Sequence, residues 1–451
     1  MKIKIDNKLQ ITEAPESFLK DIQRRLTMPN PQWEANDRMN RWNGNTTRIL
    51  EFFHEIGNGL SVPRGFTGQL LNMARRAGIP YEIKDHRRIL PPVVFTFTGQ
   101  LRPFQKVAVK DMGRKDFATL SAATASGKTV MALWIIAMRR QPCLVIVHTK
   151  ELLEQWISRI ETFLNIPRAE IGVIGNGKKR IGDKITVGIV NSIYPLAGEL
   201  KEHFGHLVID ECHRTPSRTF TEAVTAFDSK FMLGLSATPY RRDRLSKLIF
   251  WHIGDVHHEV DKKHLIQNGD ILKAEIVIRE TSFSPWADPT TEYSQMLSEL
   301  CDDPGRNTLI CKDVISEASN GSGTILVLSD RKSHCDTLAA ILRRNGVYSE
   351  VLTGNIANGQ RKAIVERLNA GLVKVLIATG QLVGEGFDCK GLTTLFMATP
   401  IKFSGRVIQY LGRVLRPAPG KDHAKVYDYL DKRVPVLVAS HRARVRVYKQ
   451  T

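Results

Sequence analysis

The chain has 451 residues, 42% hydrophobic and 25% charged, a balance that excludes a disordered polymer and, at this length, calls for about three domains. Lys and Arg number 65 against 46 Asp and Glu, a formal charge of +19 that points to a polyanionic partner such as nucleic acid, the alternative being a merely basic surface. The six cysteines are scattered without a Cys-x-x-Cys pair, which excludes a disulfide framework or zinc knuckle, and the longest apolar run, Val130 to Met138, is far too short for a membrane span. These features, with no apolar signal core at the start, predict a soluble cytoplasmic protein in a reducing compartment, with no membrane partner.

Residues 1–97 read as a small α+β domain. Alternation over Lys2 to Ile5 and Lys8 to Thr12, split by Asp6-Asn7, predicts a hairpin. Phe18, Leu19, Ile22 and Leu26 share a helical face after Pro15, with Pro29 and Pro31 as stop signals. A second hairpin is expected around Gly57-Asn58-Gly59, then a helix from Thr67 to Arg76. Trp33, Arg38, Arg41 and Trp42 interleave aromatics with guanidinium groups, a mixture able to stack on bases and meet phosphates. From sequence alone the bland reading, two core tryptophans beside a solvated basic face, is preferred. Glu82-Ile83-Lys84 resembles the end of a nuclease carboxylate-and-lysine motif, but no upstream Asp on a strand partners it, so it reads as a structural charge pair.

From Val93 onward, strands alternate with helices, the pattern of a parallel sheet covered on both faces. Phe117 to Ser121 reads as a strand, Ala122-Ala123-Thr124-Ala125-Ser126-Gly127-Lys128-Thr129 as a loop of small residues, and Val130 to Met138 as a buried helix. Such a turn lets backbone N–H groups and a helix N-terminus wrap a polyphosphate, with Lys128 on the outer phosphates and Thr129 on Mg²⁺. Cys143 to Val147 is a buried strand leading through His148 and Thr149 into a helix that bears Trp156; Ile185 to Val190 and Leu207 to Ile209 are further strands. The last ends in Asp210-Glu211-Cys212-His213: Asp210 is placed to hold a metal and Glu211 to deprotonate a water. Phe231 to Leu235 then leads to Ser236-Ala237-Thr238-Pro239, hydroxyl residues able to sense a neighbouring site or simply to form a turn.

A second α/β block starts near residue 270, with strands at Thr324 to Leu328, Val373 to Ala378 and Leu392 to Met397, a helix from Ser333 to Leu342, and a small-residue linker at Ser316 to Gly323. It has no second phosphate loop. It carries Gly384-Glu385-Gly386-Phe387-Asp388, then Gln409-Tyr-Leu-Gly412-Arg413-Val-Leu-Arg416, whose arginines three apart share a helical face and could reach phosphates.

This ordered set resembles the superfamily 2 helicases and translocases over residues 98–451, roughly four fifths of the chain. The resemblance implies an α/β fold of two tandem RecA-like parallel-sheet domains, 98–268 and 269–451, behind the small domain 1–97, with ATP bound between the RecA-like pair. It implies that Gln105 contacts adenine, that residues 122–129 hold the phosphates with Mg²⁺ on Thr129 and Asp210, and that Glu211 activates water. His213, Ser236, Ala237 and Thr238 would couple hydrolysis to motion, with Gln409 near the γ-phosphate, Arg413 and Arg416 as arginine fingers, and Gly386 and Asp388 lining the cleft. His148, Thr149, Lys150, Asn191, Ser192, Ser329, Arg331, Thr353, Gly354 and Thr379 match positions that meet the nucleic-acid backbone.

Asp-Glu-x-His, Leu101-Arg-Pro-Phe-Gln105, Arg241-Arg242-Asp243 and the Gln-x-x-Gly-Arg-Val-Leu-Arg run are similar to the branch of XPB-like repair helicases and UvsW-like phage recombination helicases. Ala122 and Ala125 depart from the glycine-rich form of the loop. The implied activity is an ATP-dependent DNA motor acting on forked or junction DNA, as a monomer that works beside recombination or replication proteins. The alternatives are an RNA helicase, the motor of a nuclease, and a binding module with a relic ATP site.

Overall fold

The computed structural model describes the chain except residues 124–125, 215–217, 238–245, 322, 355, 357, 381–388, 390, 402–403, 419–420, 422 and 449–451, and the side chains of 214, 218, 262–264, 358, 404–406 and 408–409. Two compact units emerge, one from Met1–Ala122 and Gly127–Val260, the other from Ala123–Ser126 and Asp261–Thr451.

In the first unit, Lys2–Ile5 and Leu9–Thr12 form the expected hairpin, burying Ile3, Ile5, Leu9 and Ile11. The second hairpin, His54–Ile56 with Gly59–Val62, joins it, and Glu82–Asp85 pairs parallel to Lys2–Ile5 to complete a five-stranded sheet. Helices Glu16–Arg25 and Thr67–Arg76 cover that sheet with Phe18, Ile22, Leu70 and Ala74. The first helix ends at Arg25, ahead of Pro29 and Pro31; Pro31 also opens helix Pro31–Arg38, where a missing N–H costs nothing, and Asn30 caps that helix by accepting from the Gln32 N–H.

This small layer shares its core with the rest of the unit. Leu248 and Trp251 of helix Ser246–Ile253 belong to the same apolar cluster as Ile3, Leu9 and Phe66. Around it, Arg88 pairs with Asp228, and Arg87 bridges Asp85 and Asp116 while its guanidinium lies over the Phe117 ring.

The larger sheet of the first unit runs, side by side, Lys178–Arg180, Gly172–Gly175, Ile185–Ile189, Cys143–Val147, His206–Ile209, Phe231–Ser236, Phe117–Ser121 and Val256–Glu259. Every neighbouring pair is parallel except the Gly172–Gly175/Lys178–Arg180 hairpin. Continuous apolar strands such as Cys143–Val147, buried at every position, are what two helical layers require. The second unit holds a wholly parallel sheet in the order Ala274–Thr281, Ala424–Asp431, Leu392–Met397, Thr324–Ser329, Val375–Thr379, Ser349–Leu352.

The linker expected at Ser316 to Gly323 is corrected. Helix Pro304–Asn320 runs through most of it, capped by the Asp303 side chain on the Arg306 N–H and driven by burial of Ile310, Cys311 and Val314, which outweighs the weak propensity of Ser and Asn. Among the described residues, no helix is long and apolar enough to cross a membrane.

Candidate nucleotide and nucleic-acid sites

Strand Phe117–Ser121 lies beside Phe231–Ser236, and the Ala122 N–H extends that pairing by donating to the Ser236 carbonyl at 3.0 Å. The chain then turns. Gly127 takes φ +81° at the head of helix Lys128–Arg139, a conformation that favours glycine, and a Cβ there would stand 2.5 Å from Gln105 Nε2, so a larger residue would also have to displace that amide. Ser126 is buried, its hydroxyl donating to the Ala123 carbonyl at 2.7 Å. Lys128 folds its ammonium back across the loop onto the Ala122 carbonyl at 2.9 Å, and Thr129 sits half-buried in the first turn. The helix that follows is anchored by Met131, Leu133, Ile135 and Ile136, so its N-terminal N–H groups are fixed in direction. Gln105, buried near the start of helix Pro103–Gly113, accepts from the Arg102 N–H at 2.9 Å and packs against the loop.

Two strands away, Asp210 follows His206–Ile209, its N–H donating to the Ile146 carbonyl. The carboxylate is only 7% exposed; Oδ2 accepts from the indole N–H of Trp156 at 2.8 Å and Oδ1 from the Glu211 N–H at 2.9 Å. Burial and the neighbouring Glu211 charge push its pKa up to about 6, against the pull of the Trp156 hydrogen bond and the Lys128 charge. Glu211 has φ +49°, uncommon for a residue with a side chain, and its Oε2 lies 3.2 Å from His213 Nδ1. The same His213 nitrogen lies 3.2 Å from Ser236 Oγ. One imidazole thus touches both the acid of one strand end and the hydroxyl of the next. Burial beside the two acids lifts the Cys212 thiol far above its usual range, leaving it inert.

In the second unit, helix Ser404–Val414 presents Arg413, buried, in its last turn, with Arg416 half-buried just beyond. Lys421 anchors this end: its ammonium donates to the carbonyls of Val414 and, at 2.9 Å, Arg416, and burial with the Arg416 charge draws its pKa down to about 8.

The expected backbone-contact residues collect at neighbouring strand ends within each unit. Val147 and Ile189 are paired in register, which sets His148, Thr149 and Lys150 beside Asn191 and Ser192. Thr149 caps helix Lys150–Leu164 by accepting from the Leu152 N–H, His148 stacks on Phe220 with ring centroids 5.5 Å apart, and Lys150 and Asn191 are exposed. In the second unit, Ser329 pairs with Thr379, and Thr353 and Gly354 follow the next strand over. Ser329 is a correction: it is 1% exposed, and its hydroxyl is taken up by His334 Nδ1 at 2.9 Å and the Arg331 N–H at 3.1 Å, leaving Arg331 as the outer group of that loop.

Residues 98–241 match the family model described as "Type III restriction enzyme, res subunit", and residues 306–418 match "Helicase conserved C-terminal domain". The chain belongs to superfamily 2 of the helicases. A protein of Acanthamoeba polyphaga mimivirus named as an ATP-dependent RNA helicase is 25% identical over 397 residues, 84% of this chain and 72% of that one. The "DNA 3'-5' translocase XPB2" of Sulfurisphaera tokodaii is 35% identical over 144 residues, 32% of each chain. The solved helicase domain of Pyrococcus furiosus Hef shares the fold, with a TM-score of 0.52 at 15% identity, over 75% of this chain and 98% of that one. This superfamily 2 chain is therefore an ATP-dependent helicase of two RecA-like domains.

Of the expected positions, Thr124, Ala125, Thr238, Gly386, Asp388, the Arg241-Arg242-Asp243 run and the Gln409 side chain lie outside the described residues. Magnesium fits the groups that are described. Among them, no cluster of three or more His, Cys, Asp or Glu forms a metal cage, and one carboxylate beside a phosphate loop is how Mg²⁺ is held when phosphates and water complete its shell. Trp156 and Lys421 escape a sequence reading. Trp156 falls on the apolar face with Leu153, Ile157 and Ile160, and the only hint of its role is that a buried indole N–H needs an acceptor. Lys421 gives no hint at all, since its partners are backbone carbonyls.

Proposed function

We propose that the chain is a DNA motor that remodels branched molecules by branch migration, fork regression or duplex unwinding, in recombination, repair or replication. The observation that carries the motor reading is the His213 contact. A side chain 3.2 Å from both Glu211 and Ser236 links the water-activating acid to the next strand end, so a change of charge at one alters the hydrogen bonding of the other. In this reading, Gln105 reads adenine, the loop 122–129 cradles the phosphates, and Lys128 shifts from the Ala122 carbonyl to the outer phosphates. Thr129 and Asp210 hold Mg²⁺, which supplies charge neutralisation on the phosphates. Glu211 takes the proton of the attacking water, and Arg413 and Arg416 of the second RecA-like domain serve as arginine fingers, with Gln409 beside them.

Similarity to the XPB2 DNA translocase over 144 residues supports DNA as the track, and in this reading residues 1–97 serve as a junction grip. The second reading, an RNA helicase, is supported by the naming of the mimivirus relative, which aligns over more of the chain. ATPase stimulation by forked DNA, single-stranded DNA and RNA, compared at one salt concentration, separates them, because salt alone shifts phosphate-driven affinity by orders of magnitude. Greater stimulation by RNA than by forked DNA would overturn the DNA reading. Arg416→Ala should lower stimulated turnover by about 10³- to 10⁵-fold with ATP binding retained; near-normal turnover rejects the finger assignment.

A further inference from the structure

We propose that the loop after helix Pro31–Arg38 is a stacking site for an unpaired base, with Trp42 as the platform and Arg38, Arg41 and Arg48 on the adjoining phosphates. The proposal deepens the nucleic-acid reading above and rests on it. Trp42 is 91% exposed, and Met39 and Ile49 nearby are 59% and 53% exposed, so the preference for core tryptophans is overturned. Trp33 is half-buried, with the Arg48 guanidinium 5.1 Å over its ring.

The platform is held in place. Asn40 takes φ +50°, the Arg41 N–H donates to the Asn36 carbonyl at 2.8 Å, and the Thr46 N–H donates to the Asn43 carbonyl. Gly44, at φ +48°, lies so close under the indole that a Cβ would stand 2.9 Å from Trp42 Cζ3, so the backbone backs one face of the ring. The fusion of this layer to the first RecA-like domain, through the shared Leu248 and Trp251 core and the Arg87 and Arg88 ion pairs, makes the platform a fixed point on that domain.

Charge sets this patch apart from the other exposed tryptophan. Arg24, Arg87 and Arg88 are tied to aspartates, whereas among the described residues no ion pair reaches Arg38, Arg41 or Arg48. The 99% exposed Trp286 of the second unit has the opposite setting: its backbone N–H donates to Glu299 at 2.7 Å, with Asp288 and Glu292 close by, a setting that repels phosphates. Around Trp42, the carboxylates Glu34, Asp37 and Glu51 equal the three arginines in number, so the patch is no general polyanion trap. Stacking has to supply the selectivity, and only an unpaired base offers its face.

The test measures binding of the full chain, without nucleotide, to a labelled twelve-residue oligo-dT and to a blunt duplex, by fluorescence anisotropy. Trp42→Ala should weaken oligo-dT binding by roughly tenfold or more, since alanine substitution at stacking aromatics has effects of that order. Trp42→Phe should stay within a few-fold of wild type, and duplex affinity and ATPase without nucleic acid should not move; Trp286→Ala should leave both affinities unchanged. Oligo-dT affinity unchanged in Trp42→Ala overturns the stacking site and returns the patch to a protein partner. An equal loss on the duplex overturns it in favour of backbone contact. A wild-type protein whose ATPase no nucleic acid stimulates sinks the motor reading instead, whatever Trp42 does.

Discussion

Two buried aspartates, one in each unit, have opposite electrostatics. Asp210 is 7% exposed and Asp428 1% exposed, so burial alone would raise both. Asp428 is nonetheless held below the usual carboxylate range. Burial pulls it up, but the His441 hydrogen bond and the Arg444 charge outweigh that pull, with Arg444 on both oxygens at 2.8 to 3.1 Å, His441 Nδ1 at 3.1 Å and the Tyr448 hydroxyl at 2.9 Å. Asp210 receives one indole N–H and one backbone N–H, and among the described residues no salt bridge reaches it; its pKa rises to about 6. A saturated carboxylate belongs to the scaffold. In the proposed reading, one kept half-satisfied next to a phosphate loop is left for a cation that comes with its ligand.

The sharpest way to break this contrast is to neutralise each in turn. Asp210→Asn should cost at least about 10³ in stimulated ATPase, roughly 4 kcal/mol of barrier, while the protein stays folded. Asp428→Asn should instead unfold the second unit more readily, by about 3 to 5 kcal/mol in a denaturant titration, because Arg444 is left buried with its charge uncompensated. If Asp428→Asn kept wild-type stability, or Asp210→Asn kept its turnover, the two carboxylates would not differ in kind.

The pH dependence separates them next. Asp210 has a folded pKa above its ordinary value of 3.8, so the stability it gives is full below about pH 4 and is lost as the pH rises through about 6, a swing of about 3 kcal/mol. Asn mimics the protonated acid, so in EDTA at pH 7 Asp210→Asn should melt above wild type, and the gap should close near pH 4. Asp428 runs the other way: its contribution is present at neutral pH and lost as the pH falls through its depressed pKa. Thermal melts of both variants at the two pH values decide the matter, and a gap that widens toward acid for Asp210→Asn would refute the assignment.

The half-satisfied member of the pair was legible in the sequence because its signals are local. Loop 122–129 between strand and helix, and Asp210-Glu211 at a strand end, depend on short-range pattern alone, as do the two hairpins around Asp6-Asn7 and Gly57-Asn58-Gly59. Distant pairing was not legible: Trp156 reaches Asp210 across 54 positions, and Arg444 reaches Asp428 from a separate helix. Composition misled where packing overrode it. Ser316 to Asn320 looked like a linker but continues a helix whose buried face is set by Ile310, Cys311 and Val314 just before it, and Ser329, which the resemblance put at the nucleic-acid backbone, is buried against His334. Trp42 failed in the opposite sense, since nothing in a tryptophan says whether it will be buried.

The smallest expected effect probes the hydrogen bond that Asp210 accepts from Trp156. The Trp156 N–H favours the charged carboxylate, so Trp156→Phe, which keeps the ring in the core with Leu153 and Ile157, removes that preference with little loss of packing. The proton then competes better with the cation, and the Mg²⁺ concentration for half-maximal ATPase should rise by roughly tenfold, with turnover at saturating Mg²⁺ falling much less. Purely structural damage would lower the melting temperature and turnover together and leave the Mg²⁺ dependence where it was. That result would make Trp156 an ordinary core residue and leave the Asp210 carboxylate tuned by burial, Glu211 and Lys128 alone.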